Sequence, residues 1–218
     1  MVAAGDLDPA DAPLVRSADL LVAADGGTSS LERLGCRPAL IVGDLDSSDA
    51  GVVDRAAAHG TRMVVASRDK DETDMELALE AALDAGAQGV VLLGALGGLR
   101  LDHALANLLL LGDAALTGRN VRVAHGRTRV RAVRAGEPAV LDAQVGDVVS
   151  LLPIGGDAEG VVTHGLRYPL RREPLRFGRA RGISNVVASA PASIELEAGT
   201  LLVFEIAVAD GRGLEVGR

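Results

Sequence analysis

Aromatic side chains are almost absent: the 218 residues include no tryptophan, one tyrosine and two phenylalanines. Any core must therefore be built from Ala, Val and Leu. Cysteine occurs once, as Cys36. This excludes an internal disulfide and fits a reducing compartment, and the residue reads as a small filler rather than a nucleophile. Basic charge is also short. A net charge of −8 and a pI near 5.0 argue against nucleic acid as a general partner. An acidic chain that handles phosphates needs a metal or local arginines to do so. No apolar run is long enough to span a bilayer, and no basic-then-apolar leader opens the sequence. A soluble, cytoplasmic protein with no membrane partner is expected. The apolar content of 48% supports real cores and argues against disorder. The length is comfortable for two domains.

The two parts of the chain differ in period. Up to about residue 124, short apolar runs (20–24, 40–42, 63–66, 90–93 and 121–124) alternate with helical stretches (29–34, 49–59, 74–85 and 101–111). That alternation predicts an α/β domain over 1–124 with a mostly parallel sheet covered on both faces. Ser29-Ser30-Leu31-Glu32 and Thr73-Asp74-Met75-Glu76 read as capping boxes, and Gly35, Gly60, Gly86 and Gly112 follow the last helical turns. From 125 to 218 the helical signal is lost. Short β-prone runs are separated by Gly, Pro and Asp turns such as Pro153-Ile154-Gly155-Gly156-Asp157, which predicts an all-β domain, an antiparallel sandwich or barrel. Residues 166–181, with their Pro and Arg, read as a long functional loop.

Ligands of open α/β sheets bind beyond the carboxyl ends of the strands, and four such ends here are acidic. The first, Asp25-Gly26-Gly27, combines an acceptor with two residues that permit close backbone approach, although alone it reads as a strand-to-helix turn. The second, Gly43-Asp44-Leu45-Asp46-Ser47, carries two carboxylates that point the same way if the chain is extended. Hard oxygen ligands so placed suit Mg²⁺. In the third, Lys70-Asp71-Glu72-Thr73-Asp74, the acids Asp71 and Asp74 can share a face at a helix start; equally, Thr73 is an N-cap and the acids favour the positive helix end. Lys70 is the only lysine in the chain, so a compact ammonium is wanted there, either to neutralise phosphate or to separate the acids.

The fourth end, Gly94-Ala95-Leu96-Gly97-Gly98-Leu99-Arg100-Leu101-Asp102-His103, is a glycine-rich loop leading into a helix and reads as a phosphate cradle. It lacks the Gly-Lys-Ser/Thr ending of a Walker A loop and does not match the dinucleotide fingerprint. Arg100 can clamp phosphate, Asp102 can bind metal or ribose, and His103 at a helix start is more often structural. Each loop alone is weak evidence. Four at one sheet edge form a constellation.

These strand ends, in this order and spacing and with Asn107, resemble the thiamine pyrophosphokinase family. So do Gly165-Leu166-Arg167-Tyr168-Pro169-Leu170, Ser184-Asn185 and Gly199-Thr200-Leu201-Leu202-Val203 further on. The resemblance covers nearly the whole chain. It implies an α/β ATP- and Mg²⁺-binding domain, a β-sandwich thiamine-binding domain, and a homodimer with active sites between subunits. The implied reaction is ATP + thiamine → thiamine diphosphate + AMP.

By the same resemblance Asp44, Asp46 and Asp74 match the metal-associated acids. Asp25, Thr73, Arg100 and Asp102 match the ATP side, and Tyr168, Ser184 and Asn185 match the thiamine side. Gly26, Gly27, Lys70 and His103 join the ATP-side set. Asp44, Asp46, Asp71, Asp74 and Arg100 form the catalytic set, with Asp71 or Asp74 as candidate base. Tyr168 can stack on a thiamine ring, and Ser184-Asn185 offers donors and acceptors to an aminopyrimidine edge. Three departures stand out. The opening looks like a trimmed strand and phosphate-side loop with Gly5 and Asp6, Glu72 occupies a position where a basic residue is common, and Leu99 lengthens the step to Arg100. Rival readings are a diphosphokinase for another heterocyclic alcohol such as a pterin, a non-catalytic thiamine or nucleotide sensor, and a metal-dependent phosphohydrolase.

Overall fold

The computed structural model describes residues 1–45, 48–67 and 69–208. The chain gathers into two units. One comprises Met1–Leu110 with Gly118–Gly126, and the other Leu111–Thr117 with the chain from Arg127 onward.

In the first unit, short Val- and Leu-rich runs flanked by turn residues form β1 (Val22–Ala24), β2 (Leu40–Gly43) and β3 (Arg62–Val65), paired in parallel in the order β1-β2-β3. A second parallel pair, β4 (Gly89–Leu92) and β5 (Asn120–His125), belongs to the same unit. The opening residues join the two pairs. Val2 makes parallel bridges to Ala23 and Leu93, and its N–H donates to the Val22 carbonyl at 2.9 Å. The helices are α1 (Ala12–Arg16), α2 (Gly27–Arg33), α3 (Ala50–Ala58), α4 (Asp74–Asp84) and α5 (Leu101–Leu110). Helix α4 packs on β1 and β2, whereas α2 packs on β1 and α3. Val2, Val15, Ala23, Leu31, Ile41, Leu93 and Ala124 form the core between them.

Three local expectations need correction. The sheet is not covered on both faces throughout, because at β3 Val64 and Val65 are exposed. Thr73 does cap α4 in a complete capping box, but Ser29 caps nothing: α2 begins at Gly27 with Gly26 as its N-cap. The Asp25 turn starts that helix two residues earlier, and Glu32 is drawn instead into a pair with Arg55 on α3. Pro153 to Asp157 is not a turn between strands but lies inside one long strand.

That strand, β8 (Val148–His164), dominates the second unit. The strand order is β6 (Thr128–Arg134), β12 (Ala198–Ile206), β8, β11 (Ser193–Glu195), β7 (Ala139–Val140), with β9 (Arg171–Leu175) and β10 (Asn185–Val186) also on β8. All of these pairings are antiparallel. The segment read as a loop at 166–181 therefore contributes a strand, β9. Inward-facing Val, Leu, Ile and Ala residues, among them Val149, Leu151, Val161, Leu175, Ile194, Leu201 and Val203, make the core. No helix of the described residues is long and apolar enough to cross a membrane.

Candidate active site

The carboxyl ends of β1 and β2 and the start of α4 bring three acids together. One carboxylate oxygen each from Asp25, Asp44 and Asp74 lies within 4.8 Å of the others. Two like charges at that separation repel by about 3–4 kcal/mol at an effective dielectric of 20. This exceeds what an exposed ion pair typically returns, so the cluster calls for a cation. Lys70 supplies part of it through an ion pair with Asp74, in which the lysine side chain is mostly buried.

Each acid is fixed by local backbone. Asp25 is buried, donates its N–H to the Val42 carbonyl at 2.9 Å, and accepts from the Ser48 hydroxyl at 2.8 Å. Its φ of 42° turns the chain from β1 into α2, a left-handed conformation that Asp tolerates better than most residues. Asp44 follows Gly43, whose φ of 146° is matched by a lack of room. A Cβ there would lie 3.1 Å from the Asp74 carboxylate and 3.2 Å from the Asp25 Cβ. Glycine at 43 is thus what lets the acids converge. Asp74 opens α4, where Thr73 Oγ1 accepts from the Glu76 N–H at 3.2 Å and Glu76 accepts from the Thr73 N–H at 2.6 Å.

Leu45 has φ 63°, so the chain is not extended between Asp44 and Asp46. The alternation argument for pairing those two acids does not hold, and Asp46 lies outside the described residues. The companions of Asp44 in this geometry are Asp25 and Asp74.

A cavity of about 470 Å³ lies beside the cluster, and its walls include Asp25, Lys70, Thr73, Asp74, Arg100 and His103. Gly26, Gly27, Asp71 and Asp102 are not among its described lining residues. Gly27 is explained by packing, since a Cβ there would fall 2.0 Å from the Val2 carbonyl oxygen. The glycine-rich loop after β4 has a similar explanation. A Cβ on Gly97 would overlap Asp6 backbone atoms at 2.6 Å, so this loop and the opening segment touch backbone to backbone. Asn107 on α5 holds the loop by donating to the Ala95 carbonyl at 2.9 Å.

Arg100 and Asp102 form an exposed bidentate pair at 2.7 and 3.0 Å. The guanidinium holds the Asp102 carboxyl well below the usual carboxylate range, and the carboxylate raises Arg100 in return. A second cavity, about 510 Å³, lies at the opposite ends of the strands, against Leu20–Val22 and Gly89–Val91 in part. None of the clustered acids reaches it.

In the second unit Tyr168 is 67% exposed, so it is not a core residue. Ser184 has φ 61°, and its N–H donates to the Ser150 hydroxyl at 3.0 Å. Asn185 bonds the backbone of Tyr168. These bonds bring Asn185, and with it its neighbour Ser184, against Tyr168. The sequence alone offered no signal for the Gly43 packing requirement or for the grouping of Asp25 with the metal-type acids.

A family model described as "Thiamin pyrophosphokinase, catalytic domain" matches residues 12–123. The chain belongs to the thiamin pyrophosphokinase family. A second model, "Thiamin pyrophosphokinase, vitamin B1 binding domain", matches residues 139–201. The chain is 27% identical over 185 residues to the thiamine pyrophosphokinase of Bacillus subtilis (strain 168), covering 85% of this chain and 86% of that protein. Its fold is similar to the crystal structure of thiamine pyrophosphokinase from Bacillus subtilis, with a TM-score of 0.83 at 25% identity over 94% of this chain and 97% of that one. It is also similar to that of Geobacillus thermodenitrificans, with a TM-score of 0.81 at 28% identity over 97% and 98%. The catalytic match spans every member of the acid cluster, and the vitamin B1 match spans Tyr168, Ser184 and Asn185.

Proposed function

We infer that this chain transfers the diphosphate of ATP to the primary hydroxyl of thiamine, giving thiamine diphosphate and AMP. One observation carries the reading: Asp25, Asp44 and Asp74 converge at the carboxyl edge of a parallel sheet, beside a cavity shared with Lys70, Thr73 and Arg100. In this reading residues 1–124 bind ATP and metal, while residues 125–218 form a β-sandwich that binds thiamine. The bend of β8, whose first half pairs with β12 and second half with β9 and β11, supports the sandwich, because strands that pass between sheets make its corners.

The donor set fits Mg²⁺: three hard carboxylate oxygens, the kind that ion takes alongside substrate phosphates. Asp25, Asp44 and Asp74 would hold it, with Asp46 retained from the family motif. Bound there, Mg²⁺ supplies charge neutralisation and Lewis-acid polarisation of the phosphoryl group.

The remaining work falls to positioning and charge. The Lys70 ammonium, already against Asp74, is read as a partner for phosphate oxygens. The Thr73 hydroxyl accepts from the helix backbone and keeps its own proton to donate. Arg100 exchanges Asp102 for phosphate when ATP enters, leaving Asp102 and His103 on the nucleotide side with the Gly26-Gly27 turn. Asp71, exposed near Lys70, and Asp74 remain the candidate proton acceptors for the thiamine hydroxyl. The Tyr168 ring offers its face to the thiamine cation, with Ser184 beside it. A homodimer is part of this reading, supported by the uncovered apolar stripe on α5. A cytoplasmic setting suits the single free thiol.

Asp44→Asn removes one acid while keeping side-chain shape. Turnover should fall by at least about 100-fold, the scale of losing an electrostatic group aimed at the transition state, with an unchanged far-UV circular dichroism spectrum. Turnover like that of the unmodified protein at every Mg²⁺ concentration would reject the cluster as the metal site.

A further inference from the structure

Asn185 is the residue whose assigned role fits its surroundings least. By motif it belongs to the thiamine side, yet its amide is already engaged. Its Oδ1 accepts from the Tyr168 N–H at 3.0 Å and from the Val186 N–H at 2.9 Å, and its Nδ2 donates to the Tyr168 carbonyl at 2.7 Å. A carboxamide has two acceptor sites and two donors. Both acceptor sites and one donor are therefore spent inside the protein, and a single N–H remains for anything else.

What those bonds do is visible in the backbone around them. Leu166 and Val187 form an antiparallel bridge, and the Arg167 N–H donates to the Val186 carbonyl at 2.8 Å. The next backbone partner would be residue 185, but residue 185 turns its backbone toward Val149 on β8. Its side chain takes over instead, gripping the N–H and C=O of Tyr168 as a neighbouring strand would. The ladder is extended by one residue at Tyr168, whose backbone is fixed while its ring stays in solvent. Pro169 follows and limits the chain further. An exposed ring on a doubly pinned backbone is an arrangement for presenting an aromatic face with little conformational freedom left to lose.

We propose that Asn185 is a positioning residue that acts on thiamine through Tyr168 and does not itself read the substrate. The proposal rests on the reading of Tyr168 as a thiamine-stacking ring. A four-member cycle on the full-length protein separates the two: unmodified, Tyr168→Ala, Asn185→Ala and the double substitution, each with KM for thiamine, KM for ATP and kcat. Asn185→Ala should raise the thiamine KM by about 2- to 30-fold, the range of one cation–π contact, leaving the ATP KM unchanged. The double substitution should be no worse than Tyr168→Ala alone. Effects that multiply would mean that Asn185 touches thiamine directly, and would overturn the proposal. So would a joint change in ATP KM and kcat, which marks general structural damage. If Tyr168→Ala alone leaves the thiamine KM unchanged, the stacking reading itself falls, and this proposal with it.

A spectroscopic readout is independent of turnover. Tyr168 is the only tyrosine and there is no tryptophan, so intrinsic tyrosine emission reports on this one ring. Its anisotropy should drop in Asn185→Ala; an unchanged value counts against the clamp. Asn185→Asp can keep the acceptor contacts but sets a carboxylate oxygen against the Tyr168 carbonyl where the amide donated, so it breaks that side of the clamp and serves if the alanine variant does not fold. It should give the same pattern, a raised thiamine KM with an unchanged ATP KM, and no rise at all would overturn the role of the clamp.

Discussion

Gly43 decides how closely the acids approach one another. Its left-handed φ and the 3.1 Å clearance to the Asp74 carboxylate leave a methyl group only a tight fit, one that shifts the acids by a few tenths of an ångström. Gly43→Ala must therefore pay backbone strain of about 1–3 kcal/mol and push Asp74 or Asp25 outward. Two measurements on one variant separate these effects. The Mg²⁺ concentration for half-maximal activity should rise at least tenfold, while the melting temperature falls by only a few degrees. An unchanged Mg²⁺ midpoint would show that the acids do not act as a unit. This is also where residue-level reading of the sequence stopped short. Asp44 and Asp74 were legible as metal-type acids, whereas Asp25 was read only as an ATP-side group. The rule that residues two apart share a face assumes an extended chain, and Leu45 with φ 63° breaks that assumption. Backbone conformation at single residues after a strand is set by tertiary contacts, which the sequence pattern does not encode.

Among the helices, α5 presents an apolar stripe that nothing among the described residues covers. None of its residues is buried. Leu101, Leu105 and Leu109, at i, i+4 and i+8, are 82%, 55% and 49% exposed. A helix stripe of that kind in water ordinarily has a partner, and the homodimer reading provides one. Leu105→Asp should convert a dimer into a monomer by light scattering with helix content unchanged. A monomeric unmodified protein, or a variant that remains dimeric, would remove α5 from the interface.

Helix and strand order in the first unit was legible because apolar runs, trailing glycines and the N-cap at Thr73 agreed with one another; the cap of α3 by Asp49 emerged only in the structure. It failed at Ser29, where a capping-box pattern sits inside a helix already begun. It failed again at Gly155-Gly156, because the residues that make turns also bend strands, and local sequence does not distinguish a bend within β8 from a break.

At the scale of the whole molecule, the two units carry the two halves of one reaction in the reading offered here. The first gathers carboxylates, the single lysine and Arg100 around a cavity suited to a triphosphate. The second holds an exposed aromatic ring on a pinned backbone. An acidic protein, with a net charge of −8, that handles ATP needs such local countercharge, and in this reading the acid cluster makes the reaction depend on added cation. The most direct measurement follows AMP and thiamine diphosphate together in purified protein supplied with ATP, Mg²⁺ and thiamine. The two products should appear in equal amounts, and both should vanish when thiamine is omitted or the metal is chelated. Release of ADP or inorganic phosphate in place of AMP, or AMP formed without thiamine, would contradict the account.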